Sequence, residues 1–599
     1  VNGFGVVLCD VDLPNVSRVE CFAYDGERLF SRNILASPGD GSLSFLGVAF
    51  ENPCVHSVRI FGGDTPLGPN DVTDGGAGDV VALDDFVYGE PQPLPRSLAH
   101  TRYSATGLVD AFYNINTELA VGPDGGALFN MRLLGSGASR GRNQALFEAD
   151  QTLVNPILQN RVPNPDLGYG PDAYATNTNS PISNQSGIAA VETSMGGPGI
   201  TRFNNRCVMG INPNGVSPLL CTGDPLVELG NGECLKISST AQCRVFDAYG
   251  SLCNLRRSSL PTPAVGPGND SALVMFDSHG NILSANAREG EPTFGLGGGD
   301  TFGQCGSQFG MGQGDQFCFI NPVRPGAGGR AVPGVFFSQC TGGGDGLAAL
   351  SGQIAPGVGF ADYRQFIGTT CQANDICLFR STLSGPDANR GNNEGLFWQN
   401  FTKLIQKGEE ISPGGPMLNR IQTFCPIGNE QVIIQGLLRG PGVNRGNNQA
   451  VFLRQADGDF QILLRSGDPA PGADPGAMVR NIQRVDVDPL NGNYTILGGL
   501  KGVPPGENQM LWRGQTTLGD DNANEGERLP NAVLQKGDFY SSTDTSEAII
   551  RGLSINPQTD RSGACGRGAG QIINQRGDIG CNVRTDGREQ ELVILYGDG

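Results

Sequence analysis

The chain has 599 residues, of which 91 are glycine and 39 are proline, and its formal net charge at pH 7 is −19. This share of glycine and proline argues against a mainly helical protein and remains short of that of a disordered chain. An acidic chain repels phosphate backbones, so we expect no nucleic-acid partner. Apolar residues come in short runs of β-branched and aromatic types between turn residues, which predicts an all-β protein.

The cysteine and histidine counts indicate the compartment. The chain has 16 cysteines and 3 histidines. A large, even number of cysteines without zinc or haem spacing is typical of disulfide-bonded proteins in an oxidising environment. The cysteines therefore lead us to expect an extracellular or cell-surface location. No run of 18 apolar residues is present, so we expect no membrane span. The chain begins inside a strand pattern, and we expect a removed export signal or a start part-way along a precursor.

Residues 1–93 are predicted to form the first domain. Turn residues separate five short apolar runs, at 4–9, 19–24, 43–50, 55–61 and 80–88. Five short strands at this spacing favour half of a jelly roll or β-sandwich.

A family resemblance supports this interpretation. The runs GFGVVLCDVDLPNVSRVECFAYDG, LSFLGVAF and DVVALDDFVYGEPQP resemble the jelly-roll modules of uncharacterised secreted bacterial surface proteins. The resemblance implies further strands before residue 1, so we expect an incomplete sandwich with an open edge. An open edge accepts a strand from elsewhere. The expected source is a preceding segment of the chain, with a neighbouring subunit as the alternative.

Residues 94–114 are predicted to be a linker, because the stretch at 91–95 is rich in proline. Part of this segment could instead supply an outer strand to the next domain. After it, a repeat of about 60 residues fills positions 115–599. Eight copies with about four strands each predict an eight-bladed β-propeller, and a linear β-solenoid is the alternative.

Two sequence features mark the repeat. The first is a closing Gly-Asp or Gly-Glu, and the second is a mid-repeat signature of the type Gly-Asn-Asn-Gln-Ala-Val-Phe. The closing acids are Asp224, Glu291, Asp345, Glu409, Asp468, Asp538 and Asp598, and the signature spans 141–147, 391–397 and 446–452. The ending RSGDPAPG at 465–472 resembles the REGDPAPG repeats of the same class of secreted proteins, and the resemblance implies a propeller-like fold without a known activity.

Cysteines recur on both sides of the repeat turns. Two strands that flank one turn can bring such a pair within bridging distance. The predicted disulfides are Cys9–Cys21, Cys207–Cys221, Cys243–Cys253, Cys305–Cys318, Cys371–Cys377 and Cys565–Cys581. The partners of Cys54, Cys234, Cys340 and Cys425 stay open, because connectivity cannot be read from a sequence.

Paired acids are the candidates for metal binding. Asp10 and Asp12 lie two residues apart and so face one side of a strand, and Asp84 and Asp85 are adjacent. These four are the candidate calcium ligands, and solvent-facing turn residues are the alternative. No EF-hand loop is present.

Catalytic candidates are weak. No nucleophile elbow or phosphate loop occurs, so His100 or His279 would have to serve as the base of a hydrolase. Trp398 and Trp512 fit either a sugar-stacking surface or the core of the repeats. We predict no catalytic residue and no cofactor other than calcium.

These observations favour an extracellular structural or interaction protein. Rigid repeats and an open sandwich edge fit self-assembly into a surface filament or layer by strand complementation. The expected partners are copies of this chain or neighbouring surface proteins. The alternative is a carbohydrate- or calcium-dependent binding module, with glycans as ligands, and the third hypothesis is a propeller hydrolase or lyase.

Overall fold

The computed structural model describes residues 3–597 except 24–25, 38–41, 51–54, 65–79, 90–93, 140, 213–214, 227–228, 230–231, 244–245, 258–264, 313, 372–375, 400–401, 429, 517–527, 546–547, 556–571 and 588. The described residues form β-strands and two 3₁₀ turns, Ser136–Ala138 and Pro165–Leu167, and they contain no α-helix. The all-β prediction is confirmed. In this part of the chain, no helix could cross a membrane. The chain divides into two compact units, Val1–Pro93 and Leu94–Gly599.

The first unit has two three-stranded antiparallel sheets. Its strands are β1 (Gly3–Cys9), β2 (Arg18–Phe22), β3 (Arg28–Asn33), β4 (Leu43–Ala49), β5 (Ser57–Phe61) and β6 (Ala82–Gly89). The sheet orders are β4–β1–β6 and β3–β2–β5. Val6 and Leu8 of β1 share one buried core with Val19 and Cys21 of β2, so the sheets pack on each other. The sequence analysis missed β3, because its side chains are mostly exposed and polar.

The described residues of the second unit form eight antiparallel sheets, which we number 1 to 8 in chain order. Sheet 1 contains β8 (Phe112–Val121), β9 (Ala127–Leu134), β10 (Gln144–Ala149) and β11 (Val154–Gln159), and sheet 2 contains β12 (Tyr174–Ser183), β13 (Ala189–Gly196), β14 (Arg206–Asn212) and β15 (Gly215–Cys221). Sheet 3 contains β16 (Pro225–Leu226), β17 (Gly232–Gln242), β18 (Tyr249–Arg257), β19 (Ser271–Phe276) and β20 (Ile282–Arg288), and sheet 4 contains β21 (Thr301–Phe302), β22 (Phe309–Met311), β23 (Gln316–Arg324), β24 (Val332–Gln339) and β25 (Gly346–Leu350).

The remaining four sheets repeat this plan. Sheet 5 contains β26 (Asp362–Cys371), β27 (Cys377–Ser384), β28 (Glu394–Trp398) and β29 (Thr402–Gln406), and sheet 6 contains β30 (Met417–Pro426), β31 (Val432–Arg439), β32 (Gln449–Arg454) and β33 (Phe460–Arg465). Sheet 7 contains β34 (Met478–Val487), β35 (Asn493–Lys501), β36 (Gln509–Gln515) and β37 (Asn531–Gln535), and sheet 8 contains β38 (Phe539–Tyr540), β39 (Ala548–Ser554), β40 (Ile579–Thr585), β41 (Gln590–Leu595) and β7 (Arg96–His100).

Neighbouring sheets pack face to face through apolar cores. Sheets 1 and 2 share the core around Leu146 and Met209, and each following pair has a core of its own. The last core joins sheet 8 to sheet 1, where Leu592 packs with Phe129 and Phe147. The second unit is therefore a closed, propeller-like ring of sheets.

Strand β7 closes this ring from the other end of the chain. It pairs antiparallel with β41, and His100 lies opposite Glu591. This strand falls inside 94–114, the segment expected to be a linker, and so corrects that boundary. A strand whose partner lies hundreds of residues away leaves no local pattern that distinguishes it from a linker.

A repeated turn links each sheet to the next. Gly467 donates its N–H to Val479 O at 2.7 Å, and Val479 N–H returns to Asp468 O at 2.9 Å. Gly467 has a φ of 88°, which favours glycine. The same first bond is made by Gly223, Gly290, Gly352, Gly408 and Gly537.

One predicted closing acid, Asp345, does not belong to this turn. Asp345 precedes β25 and accepts a hydrogen bond from Ser338, and Gly352 occupies the turn of sheet 4 instead. The turn from sheet 8 to sheet 1 follows β7, where Arg102 has a φ of 71° and donates to Tyr113 O at 2.8 Å. The other predicted position, Asp598, lies outside the described residues.

The mid-repeat signature has a structural role that the sequence did not reveal. Its fourth residue reaches the first long strand of the next sheet, where irregular pairing leaves a backbone group unpaired. Gln449 Oε1 accepts from Ile482 N–H at 2.8 Å, and Glu394 Oε1 accepts from Ile421 N–H at 3.0 Å. Gln509 does the same for Leu553 N–H at 2.9 Å. The signature therefore sets how neighbouring sheets meet.

Candidate functional site

The turns at one end of sheets 7, 8, 1 and 2 meet at the centre of the ring. We call this region the hairpin mouth and define it by residues 122–126, 184–187, 488–493 and 574–578. Gln185 Nε2 of sheet 2 donates to Asp488 Oδ1 of sheet 7 at 3.3 Å, although these sheets are not neighbours. The turns therefore face one another across the ring centre.

Buried amides and carboxylates hold the mouth together. Asn574 Nδ2 donates to Gly122 O at 2.8 Å and to Asp578 Oδ2 at 2.9 Å. Asp578 Oδ1 accepts from Gly597 N–H at 2.7 Å. Both Asn574 and Asp578 are fully buried. These hydrogen bonds satisfy the buried carboxylate of Asp578 and join the turns of the mouth.

A buried ion pair lies below the mouth on β34. Arg484 Nη2 is 3.5 Å from Asp486 Oδ2, which also accepts from Ile572 N–H at 2.9 Å. Among the described residues, no guanidinium nitrogen of Arg484 makes a hydrogen bond. Burial lowers the pKa of Arg484, and the Asp486 carboxylate opposes that shift. The pair neutralises its own charge inside the ring.

An acidic cleft opens beside the mouth, between sheets 1 and 2. Its volume is about 470 Å³. The cleft shares Gly122 and Gly187 with the mouth turns, and Leu128 and Ala149 form part of its apolar floor. All the charged residues of the lining are acids: Asp124, Glu148 and Asp150. The arrangement suits a ligand with an apolar part and a positively charged group.

The local turn fixes the charge of Asp150. Its Oδ1 accepts from Thr152 N–H at 2.6 Å and from Leu153 N–H at 2.8 Å. These bonds lower the pKa of Asp150. Arg96 is buried beside this turn, and its guanidinium donates to the backbone carbonyl groups of Asp150 and Leu153. Asp150 is thus held as a carboxylate at neutral pH.

Glu148 behaves in the opposite way. Desolvation raises the pKa of its carboxyl, and the nearby Asp150 carboxylate raises it further. Asp150 comes directly after β10, two residues beyond Glu148, and the two carboxylates repel each other. A bound cation would relieve this repulsion.

The described residues contain no cluster of ligands that would support the predicted calcium site. Among the described residues, no group of three or more His, Cys, Asp or Glu side chains is placed to hold a metal ion. Asp10 follows β1 with a φ of 60°, and Asp12 lies two residues further on. The side chains of Asp84 and Asp85 are outside the described residues.

The cysteine pairing in the structure differs from the predicted disulfides across hairpins. Cys207 and Cys221, opposite each other on β14 and β15, form a disulfide. The pairings Cys9–Cys21, Cys243–Cys253, Cys305–Cys318 and Cys371–Cys377 are not formed, because at least one member of each is a thiol. Cys581 is also a thiol, and its predicted partner Cys565 lies outside the described residues. Cys425 takes part in a disulfide.

The reason is that strand register alone does not bring sulfurs together. Cys318 Sγ lies 2.8 Å from Cys371 Sγ, and Cys243 Sγ lies 3.9 Å from Cys340 Sγ. Both contacts join neighbouring sheets, which no spacing along the chain could indicate.

His100, His279, Trp398 and Trp512 lie in separate places in the structure. His100 Nε2 pairs with Glu589 Oε2 at 3.3 Å, and its ring packs on Tyr103. His279 is at an exposed hairpin tip, where its N–H donates to Asp277. Trp398 and Trp512 are buried in the sheet cores. The sequence analysis named none of Asp124, Glu148 and Asp150, because single acids beside a turn look like ordinary surface residues.

A family comparison classifies the chain. Residues 256–556 match the model of a family of unknown function, DUF7453. The chain belongs to this family. The match covers sheets 4 to 7 completely. A search of curated proteins finds no match.

Solved structures with a similar fold include propellers. The Dos1 propeller is 10% identical, with a TM-score of 0.36, and the match covers 84% of this chain and 96% of that chain. The propeller domain of the Trilobed protease from Pyrococcus furiosus is 8% identical, with a TM-score of 0.32, over 69% of this chain and 100% of that chain. The acylaminoacyl peptidase from Pyrococcus horikoshii is 10% identical, with a TM-score of 0.33, and the match covers 69% of this chain and 52% of that chain.

Proposed function

We propose that the protein is an extracellular interaction protein. An eight-bladed propeller ring carries its binding cleft, and a jelly-roll-like unit precedes the ring. The observation that carries the proposal is the acidic cleft between sheets 1 and 2, whose charged lining residues are Asp124, Glu148 and Asp150. The cores between sheets make the ring a rigid support, and rigid scaffolds position binding loops well.

The ligand is a cationic segment of a partner protein, presented as a lysine or arginine side chain. Carboxylates on an apolar floor accept hydrogen bonds from ammonium and guanidinium groups and supply the opposite charge. None of the described residues that line the cleft is aromatic, and both tryptophans are buried. A stacking platform for a sugar is therefore missing from the cleft, which favours a cation over the carbohydrate alternative.

Titration calorimetry with an oligolysine peptide tests this proposal. The wild-type protein is expected to bind it in low salt, while Glu148→Gln combined with Asp150→Asn should weaken binding about tenfold or more, since each charge-assisted hydrogen bond contributes roughly 1.5–3 kcal/mol. The amides keep the size of both side chains, and the amide that replaces the Asp150 carboxylate retains an oxygen for the turn. Glu291→Gln, an exposed acid in the turn between sheets 3 and 4, is the matched control and should bind like wild type.

Equal binding by the cleft variant and the control would reject the cleft as the site. Binding of a neutral oligosaccharide, lost in the cleft variant, would replace the cationic ligand with the carbohydrate alternative.

A second function, self-association, is favoured by the outer face of the β4–β1–β6 sheet. Leu43 and Phe45 are 62% and 65% exposed, and they lie opposite Cys9 and Val7 on the face that points away from the core. Exposed apolar patches of this kind mark contact surfaces. The edge strands are β4 and β6, while β1 is central, so strand complementation would occur at the edges.

Light scattering and electron microscopy test self-association. We expect the wild-type protein to form assemblies that grow with concentration, and Leu43→Ser with Phe45→Ser to remain monomeric. Arg32→Ser on exposed β3 is the control. A wild-type protein that stays monomeric at all concentrations would reject this function.

A further inference from the structure

Cys318 and Cys371 meet at the contact between sheets 4 and 5. Their Sγ atoms are 2.8 Å apart, and both residues are buried. A disulfide bond joins sulfurs at about 2.05 Å, so bond formation needs a shift of under about 1 Å. We infer that Cys318 and Cys371 form a disulfide that links sheet 4 to sheet 5.

A glycine on β22 allows sheets 4 and 5 to come close together at Cys318 and Cys371. Gly310 on β22 lies directly opposite Cys318 on β23. A Cβ at Gly310 would lie 2.6 Å from Thr370 Cα of sheet 5, which is too close for any side chain. The absence of that side chain lets the end of β26 pack against sheet 4. Cys371, the next residue, then reaches the sulfur of Cys318.

Cys377 is the rival partner. It lies opposite Cys371 in the hairpin of β26 and β27, and its sulfur also reaches Cys318. Thr369 Oγ1 holds the Cys377 sulfur at 3.4 Å. The geometry of the three residues therefore favours the link between sheets and leaves Cys377 as an anchored thiol.

The reaction is a thiol–disulfide exchange with an external disulfide, such as an oxidoreductase or oxidised glutathione. One cysteine thiolate attacks the external disulfide and releases one thiol, and the second cysteine then displaces the other thiol from the mixed disulfide. The protein loses two electrons and two protons, and one external disulfide becomes two thiols. Burial raises the pKa of the Cys318 and Cys377 thiols in the folded protein. Since the thiolate is the nucleophile, the exchange occurs before sheets 4 and 5 pack.

Peptide mapping under non-reducing conditions tests the linkage. The protein is refolded with reduced and oxidised glutathione, alkylated, and cut with trypsin and Asp-N. These enzymes separate the three cysteines into fragments 315–330, 365–374 and 375–380. We expect fragment 315–330 bound to 365–374, with Cys377 alkylated after unfolding. Fragment 365–374 bound to 375–380, 315–330 bound to 375–380, or all three cysteines alkylated would each overturn the inference.

Two variants separate the linkage from general effects of sulfur in the core. Cys377→Ser should keep the cross-linked fragment. Its thermal midpoint should still be higher without reductant than with reductant. Cys318→Ala with Cys371→Ala should lose the cross-linked fragment, and its midpoint should depend less on reductant than that of wild type, because the Cys207–Cys221 disulfide remains. A double variant that retains the reductant dependence of wild type would contradict the assignment to these two residues.

Discussion

Two parts of the ring are held together by different chemistry. Around the hairpin mouth, sheets 7, 8, 1 and 2 are joined by buried amides and carboxylates, such as Asn574, Asp578 and the Gln185–Asp488 contact. In sheets 3 to 5, the contacts between sheets include two sulfur pairs, Cys243 with Cys340 and Cys318 with Cys371, beside the Arg324–Glu289 ion pair.

The difference follows from where the chain closes. Sheets 8 and 1 bring together segments nearly 500 residues apart, with β7 paired to β41. Directional hydrogen bonds select one register there, and leaving any of them unmade is costly. Sheets 3 to 5 are consecutive in the chain, and thiols fit the apolar cores between them.

The largest effect is expected at the closing contact. Asp578→Ala leaves Asn574 Nδ2 and Gly597 N–H without their carboxylate, and we expect a loss of about 3 kcal/mol in the free energy of unfolding. Chemical denaturation measures it. Glu291→Ala, an exposed acid, is the control and should lose less than about 0.5 kcal/mol. Equal stabilities would show that the polar network does not close the ring.

A repeated turn gives a smaller effect. Gly467→Ala adds a Cβ that would lie 2.5 Å from Asn447 Cβ at a φ of 88°, and we expect a cost of about 2 kcal/mol. Gly476→Ala is the matched control, because its φ of 95° is similar but its Cβ meets nothing within 4 Å. It should cost about 1 kcal/mol from backbone strain alone. The midpoint difference between the two variants isolates the packing of the turn against Asn447 in the loop between β31 and β32, and no difference would argue against a tight turn.

The mid-repeat signature should contribute about 1 kcal/mol per copy. Gln449→Ala removes the acceptor for Ile482 N–H. Gln449→Glu is the control, because Glu394 makes the same contact in the preceding sheet. We expect Gln449→Glu to keep more of the wild-type midpoint than Gln449→Ala, and the reverse order would contradict this role.

The smallest effect is a pH dependence of ligand binding in the cleft. The pKa of Glu148 is raised above its ordinary 4.5, so this carboxylate gains a proton earlier than a solvated acid as the pH falls. Protonation removes one charge that holds the cation. Affinity for oligolysine should therefore fall as the pH is lowered from neutral toward the ordinary pKa of a glutamate. Glu148→Gln should flatten this pH dependence of the affinity. An unchanged profile in that variant would assign the titration to another acid.

Sequence reasoning reached the strands and the repeat but not the long-range contacts. Alternation and turn residues located β1, β2, β4, β5 and β6, because a strand with one buried face has a local signature. The partner of β7 and the sulfur contacts depend on which sheets become neighbours. The cleft likewise combines Glu148 and Asp150 of one sheet with Gly187 of the next.

Zero-length carbodiimide cross-linking of an oligolysine peptide, followed by mass spectrometry, is the most direct test of the binding cleft. The chain has 60 acidic residues, so a non-specific peptide would react at many of them. The account predicts that cross-links concentrate on Asp124, Glu148 and Asp150 and disappear with excess free peptide. Cross-links spread over all sheets, or confined to the first unit, would contradict it.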